Sequence, residues 1–437
     1  MDKVHYSVER EIPVTHVADV IVVGGGPGGL GAAVMAARAG AKVLLIERHG
    51  YLGGMAAVGE INPFMMNHAN GQCLDRPVYM EWVRQMHSYL PDKLCKSVSD
   101  SAEITSEESR IISKDIAMLA TEDLCLAAGV ELLYHHTLAD VIVKDRKIEA
   151  LILFSKSGYT AVRANNYVDC TGDADLAARA GCAVEIGGPS GFCQPMTLCF
   201  KLAGVAKSLI PTNADIHTLY QAAQKRGEIS CPRENILYFN FFDDDVIHFN
   251  TTRVIMHDAT DGDALSQAEI IARKQLREIL TWLRREVAGF AQARIHSIAH
   301  HIGVRESRRV VGINYLKRPA YLAAAKFPDA IARVNYSIDI HNPTGSGTEF
   351  ERLPASEFYE IPYGCVVPKD IDNLTVGGRP ISVDQAIHSS MRVMPPAISV
   401  GQAAGMAAAI SSARGIRPAD LDGVEIRQLL IGQGAFL

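Results

Sequence analysis

The sequence predicts an α/β fold: a parallel sheet extended by an antiparallel meander, with an α+β segment inserted in the middle of the chain. Three observations predict it. An apolar run at 19–23 leads straight into Gly24-Gly25-Gly26-Pro27-Gly28-Gly29, then into a helix of small residues and a second apolar run ending at Glu47. Short alternating strands separated by turns fill 138–168. An Ala/Gly-rich helix at 396–414 returns near the carboxy end to the texture of the amino end.

The first element is a strand–turn–helix–strand unit within about thirty residues. Gly24, Gly26 and Gly29 fit G-x-G-x-x-G, with the required strand before and helix after. The first glycine permits a tight turn, the second lets a phosphate approach the backbone, and the third lets the helix sit close to the sheet. Free N–H groups at the helix start, around Pro27 and Gly28, then face a pyrophosphate. Glu47 lies 18 residues beyond Gly29, at the end of the second strand, where it would accept hydrogen bonds from ribose hydroxyls and repel a 2′-phosphate. Arg48, Gly53, Gly54 and Met55 follow as a place for backbone to pass a dinucleotide.

The middle of the chain is predicted to hold helices at 78–90 and 116–128, the meander with Ala139 in its first strand, and strands at 196–202, 237–242 and 246–253. An amphipathic helix is expected at 265–287, its apolar face including Ile270, Leu276, Ile279 and Leu283. The expected organisation is a first part of the nucleotide domain at 1–187, a substrate or cap domain at 188–355, and a second part of the nucleotide domain at 356–437.

The meander ends in Val168-Asp169-Cys170-Thr171-Gly172-Asp173. Near the carboxy end, Asn373-Leu374-Thr375-Val376-Gly377-Gly378-Arg379 is followed by Ser389-Ser390-Met391-Arg392-Val393-Met394-Pro395-Pro396 and the long helix. Further distinctive runs are Gly303-Val304-Arg305-Glu306-Ser307-Arg308-Arg309-Val310 and Asp339-Ile340-His341-Asn342-Pro343. Together these segments resemble the FAD-dependent oxidoreductases related to the flavoprotein subunits of succinate dehydrogenase and fumarate reductase, most clearly over 18–60, 165–185 and 295–412. The resemblance implies a Rossmann-like FAD-binding domain and noncovalently bound FAD. It puts Thr171, Gly172 and Asp173 against the nucleotide half, and Gly378, Arg379, Arg392, Val393 and Met394 nearer the flavin. Cys170 and Arg379 are departures, standing where such flavoproteins commonly carry alanine and an acid. The expected activity is hydride transfer from a small polar organic substrate to flavin N5, in a dehydrogenase or oxidase. The alternatives are a flavin monooxygenase, for which a second G-x-G-x-x-G is missing, and a non-catalytic electron carrier.

Three groups are candidates for catalysis. On a helix, Arg305, Arg308 and Arg309 would share a face and bind an anion, with Glu306 offering them an internal salt-bridge network instead. His341, beside a Pro-containing loop, is a candidate base or hydrogen-bond donor. His388 and Arg392 are four residues apart, as in the H-x-x-x-R arrangement by which the resembled enzymes hold a dicarboxylate.

Net charge is −6 with no long basic run, which argues against a nucleic-acid partner. No apolar stretch reaches the ~20 residues of a membrane span. The nine cysteines form no C-x-x-C pair, and His135-His136 and His300-His301 are adjacent residues that point apart, so no metal is expected. A cytoplasmic protein with reduced thiols is expected, and a homo-oligomer is left open.

Overall fold

The computed structural model describes residues 4, 11–91, 94 and 112–437; the polar amino terminus and Cys95 fall outside them. The principal sheet has seven strands: β1 (Val14–Val23), β2 (Val43–Ile46), β3 (Glu131–Leu133), β4 (Thr137–Lys144), β5 (Lys147–Ser155), β6 (Gly158–Asp169) and β7 (Leu374–Val376). Their order is β3-β2-β1-β6-β5-β4, and β7 also pairs with β6. The long strand β6 serves two neighbours on one side. Its first half pairs antiparallel with β5, and its second half pairs parallel with β7. Its other side pairs parallel with β1. All four residues of β2 are buried, as expected for a parallel strand covered on both faces.

Helix α1 (Pro27–Arg38) follows the glycine turn, and its closest partner is the carboxy-terminal helix α4 (Met394–Arg414). Small residues let the two backbones touch. A Cβ on Gly31 would stand 2.3 Å from the Ile398 carbonyl oxygen, and one on Gly405 would stand 2.0 Å from that of Ala32. Seventeen residues of α4 are buried, because it runs through the centre of the main core rather than over its surface.

A second core lies between an antiparallel sheet and two helices. The sheet comprises Phe200–Ala203, Tyr238–Asn240, Ile247–Phe249 and Arg294–Ile298; the helices are Asn213–Lys225 and α2 (Gly262–Glu286). The apolar stripe of α2 packs Leu276, Ile279 and Leu283 inward, although Ile270 is exposed. These strands are shorter than expected: Met196 and Val254 only bridge each other. Leu316, Tyr321, Ile331 and Ile338 join the same core as β1 and α4.

The arginine-rich run after Gly303 corrects the expected helix. Arg308–Val310 is a strand paired with Val184–Ile186, and a strand sends successive side chains to opposite faces. Arg308 and Arg309 therefore point to opposite faces, and Arg305 lies before the strand. Among the described residues no single helix is long and apolar enough to cross a membrane. The eight described cysteines are all buried and free; burial pushes the Cys193 and Cys365 thiols up to about 12.

Candidate functional site: a nucleotide cleft joined to a second cavity

The cleft is built where β1, β6 and β7 end beside the starts of α1 and α4. Gly24 takes φ +100°, and a Cβ there would meet the Cys170 carbonyl oxygen at 2.4 Å. Gly28 approaches Gly378 so closely that a Cβ would stand 2.8 Å from its Cα. Neither helix start has a side-chain cap, since Gly26 and Val393 occupy the cap positions. Pro27, Pro395 and Pro396 carry no N–H, so the donors left for something else to satisfy are those of Gly28 and Gly29 in α1 and of Met394 alone in α4.

Gly24, Gly26, Pro27 and Gly28 line one wall, with Glu47, Arg48, Gly54 and Met55 beside them. Thr171, Gly172 and Asp173 line the facing wall with Gly378, Arg379, Arg392 and Met394. Glu47 is buried. Its Oε2 accepts from the Gly25 N–H at 2.8 Å and its Oε1 from the His49 N–H at 2.9 Å. Burial raises its carboxyl above the ordinary value against those hydrogen bonds. Burial also pushes Asp173 up, but Arg379, which donates to it at 2.6 Å, together with Ser307 and Arg48, outweighs burial and holds it low.

Four expected cofactor residues do not line this cleft. Gly29 packs helix to turn: a Cβ there would lie 1.9 Å from the Gly24 carbonyl oxygen. Gly53 forms a left-handed turn at φ +107°, its N–H donating to the Gly25 carbonyl. Ala139 lies further along β4; His136, Thr137 and Leu138 reach the cleft instead. Val393 lines the second cavity. Residues 136–138 and His301 carry no sequence motif, and the turn before β4 was the only signal for them.

The second cavity opens from the cleft, sharing Met55, Val304, Arg379, Arg392 and Met394 with it. Its apolar wall includes Ile61, Phe64, Phe239 and Phe350. Its polar wall carries Arg233, Glu234, Arg305, Tyr336, Asp339 and His341. Arg305 donates to the Pro195 carbonyl at 2.7 Å and to the Thr197 hydroxyl, and burial, then Arg392 and Arg233, lower its guanidinium to about 9. Asp339 is pushed up by burial, but His341, Arg392 and Arg305 hold it far below the usual carboxylate range. His341 is lowered to about 3, mainly by burial and then by Arg305.

The other candidates lie elsewhere. Arg308 donates to the Asp173 carbonyl at 3.1 Å and to the Asp175 carboxylate at 2.9 Å, and lines neither cavity. Arg309 is sealed against Glu306 at 2.7 Å, in a network with Gln194 and Gln385. His388 is fully buried and lines neither cavity, and it holds both ring nitrogens without a hydrogen-bond partner. It faces the interior rather than either cavity. It belongs to helix α3 (Gln385–Met391), whereas Arg392 is that helix's C-cap and faces the cavities.

The cleft suits a long cofactor with a charged middle. Glycine walls leave room where any Cβ would intrude, two helix starts face it, and the buried Nε atoms of Arg379 and Arg392 lack protein partners. The fold and cleft thus define a dinucleotide-binding α/β protein. The chain belongs to the FAD dependent oxidoreductase family, whose model matches residues 19–430, and FAD is its cofactor. Over 47 residues (11% of this chain, 10% of the relative) it is 49% identical to a dihydrolipoyl dehydrogenase of Manduca sexta. Over 155 residues (35% and 39%) it is 27% identical to a digeranylgeranylglycerophospholipid reductase of Thermoplasma acidophilum. The chain thus matches well under two thirds of either relative's length. Among solved structures, it is similar to a geranylgeranyl bacteriochlorophyll reductase-like protein of Thermoplasma acidophilum (13% identity, 96% of this chain and 84% of that one, TM-score 0.47). It is also similar to a p-nitrophenol 4-monooxygenase of Pseudomonas putida (11%, 96% and 87%, TM-score 0.46).

Proposed function

We propose that this protein transfers hydride from a small organic anion to the flavin N5 of FAD, with the substrate bound in the second cavity. The observation that carries this reading is charge. Arg233, Arg305 and Arg392 face that cavity against Glu234 and Asp339, while Arg379, also on its wall, is paired with Asp173 of the cleft. An excess of buried guanidinium is costly until an anion joins it, and paired forks recognise carboxylates well.

FAD, when bound, supplies the hydride-accepting centre. The chain supplies the rest. Glu47 takes the ribose end, the uncapped starts of α1 and α4 take the negative charge of the cofactor, and Met55 and Met394 border both compartments. Arg305 and Arg392 hold the substrate anion where the cavity meets the cleft. Ile61, Phe64 and Phe239 supply an apolar wall that lowers the polarity around those contacts. Asp339, held ionised beside His341, accepts a hydrogen bond from the substrate heteroatom and orients it, and the proton lost as hydride leaves goes to solvent.

Kinship with the succinate dehydrogenase and fumarate reductase flavoproteins remains part of this proposal. The H-x-x-x-R pair that suggested dicarboxylate binding is not its support, because His388 faces the interior. The test is a panel of small carboxylates, neutral alcohols and amines added anaerobically to FAD-loaded protein. Bleaching of the flavin by carboxylates alone is expected. Bleaching by neutral or cationic compounds alone would overturn the anion assignment, and oxygen uptake driven by NADPH would favour a monooxygenase.

A further inference from the structure

His341 lies on the strand Ile338–His341, which pairs with Thr348–Glu351 to form a hairpin along the second cavity. Its main-chain N–H donates to Gln194 Oε1 at 3.1 Å. Its ring Nδ1 stands 2.9 Å from Arg253 Nη2 and 3.1 Å from the Thr348 hydroxyl. A guanidinium has donors and no acceptor. The short contact to Arg253 therefore requires Nδ1 to present its lone pair, which leaves the ring proton on Nε2. Asp339 Oδ1 lies 3.5 Å from that nitrogen.

We infer that Arg253 is a positioning residue that fixes His341 as the neutral Nε2–H tautomer, so that His341 meets the substrate as a hydrogen-bond donor and not as the general base. This rests on the second cavity being the substrate site. Arg253 is suited to the task because it is itself held. It is 1% exposed, and its Nη1 donates to the Gly345 and Gly347 carbonyls, each at 3.3 Å. Glu234 Oε2 lies 3.2 Å away and also accepts from the Gly347 N–H. Its main chain exchanges two 2.9 Å hydrogen bonds with the Gln275 amide of α2. Turning the guanidinium away from His341 would release the hairpin tip as well.

Three cations and burial oppose a second proton on the ring, and two carboxylates favour it. Arg253 arrives from the segment after Phe249, Arg305 from the segment before Arg308, and Arg392 from the end of α3. Against these three cations stand Asp339 on the hairpin and Glu234 across Arg253. Protonating Nδ1 would also turn its contact with Arg253 into donor against donor.

The test is nitrogen NMR of histidine-labelled, FAD-loaded full-length protein, with the His341 signals assigned through His341→Gln. The expected wild-type result is an Nε2–H ring that does not titrate between about pH 5.5 and 8. Arg253→Met should bring both tautomers into exchange, still without a titration in that window because burial and Arg305 remain, while Arg253→Lys, which keeps donor and charge, should keep the single tautomer. A wild-type His341 that carries its proton on Nδ1, or titrates within the window, overturns the inference. So does an unchanged ring in folded Arg253→Met. Should that variant not fold, the wild-type tautomer and the lysine variant still decide. No substrate is present in these measurements, so a failed substrate panel would be distinguished from a failed tautomer assignment.

Discussion

At the scale of the residue, single carboxylates and guanidiniums set what each compartment can hold. Glu47 closes the ribose end of the cleft with both oxygens already accepting backbone hydrogen bonds. Glu47→Gln keeps the shape but exchanges one acceptor for a donor. FAD affinity, read by flavin fluorescence titration, should weaken by about tenfold, since a mismatched buried hydrogen bond costs ~1–3 kcal/mol. In the second cavity, Arg305→Met should raise KM for an anionic substrate by on the order of 100-fold, as truncating a buried charge partner does. A neutral analogue should lose far less, and steady-state kinetics on both compounds separates the two effects. Glu47 was legible because a strand, a glycine turn and an acid at fixed spacing have one physical meaning. Arg233 and Asp339 were not legible as a pair. The cavity draws on residues near 61, 233, 305, 339 and 393, and no local periodicity connects them.

At the scale of the element, local patterns located the helices well and misjudged direction. The amphipathic period of α2 and the small-residue texture of α4 were both readable. The spacing of Arg305, Arg308 and Arg309 suggested one helical face, but pairing with Val184–Ile186 imposes strand geometry and sends the three guanidiniums to different neighbours. Likewise, four-residue spacing would place His388 and Arg392 together on a continuous helix. Here α3 ends at Met391, and the chain turns by 101° into α4. The contact of α1 with α4 makes a sharper prediction. Gly405→Ala puts a methyl group against the Ala32 carbonyl oxygen and should cost at least ~1–3 kcal/mol by denaturant unfolding, with weaker FAD retention. Gly432→Ala, in a helix but with nothing within 4 Å of the new methyl among the described residues, is the control: it should leave FAD retention unchanged and stability unchanged or raised by up to ~1 kcal/mol.

At the scale of the whole molecule, buried carboxyls shape the response to pH. Asp75 is fully buried against α4, accepting from the Ser399 hydroxyl at 2.7 Å and from the Asn67 amide at 2.9 Å. Burial outweighs those hydrogen bonds and raises its carboxyl from 3.8 to about 7. Between those values the folded chain holds a proton that the unfolded chain has released. The Asp75 contribution to stability is therefore present at low pH and is lost as pH rises through about 7. Asp75→Asn removes this dependence. Its stability relative to wild type should climb across that window and level off above it, by up to on the order of 4 kcal/mol. Urea unfolding of both proteins at several pH values checks it.

The adjacency of β7 to β6, and of α4 to α1, also bears on time. A chain emerging from the ribosome presents the glycine turn hundreds of residues before the facing wall at Gly378, Arg379 and Arg392 is made. The first helix must wait, its small-residue face uncovered, until α4 arrives to fill the centre of the core. Loss of the segment carrying β7 and α4 would thus remove the cofactor site altogether, even with the amino-terminal fingerprint intact. Capture of FAD waits until both walls exist, and the cofactor then bridges segments made hundreds of residues apart.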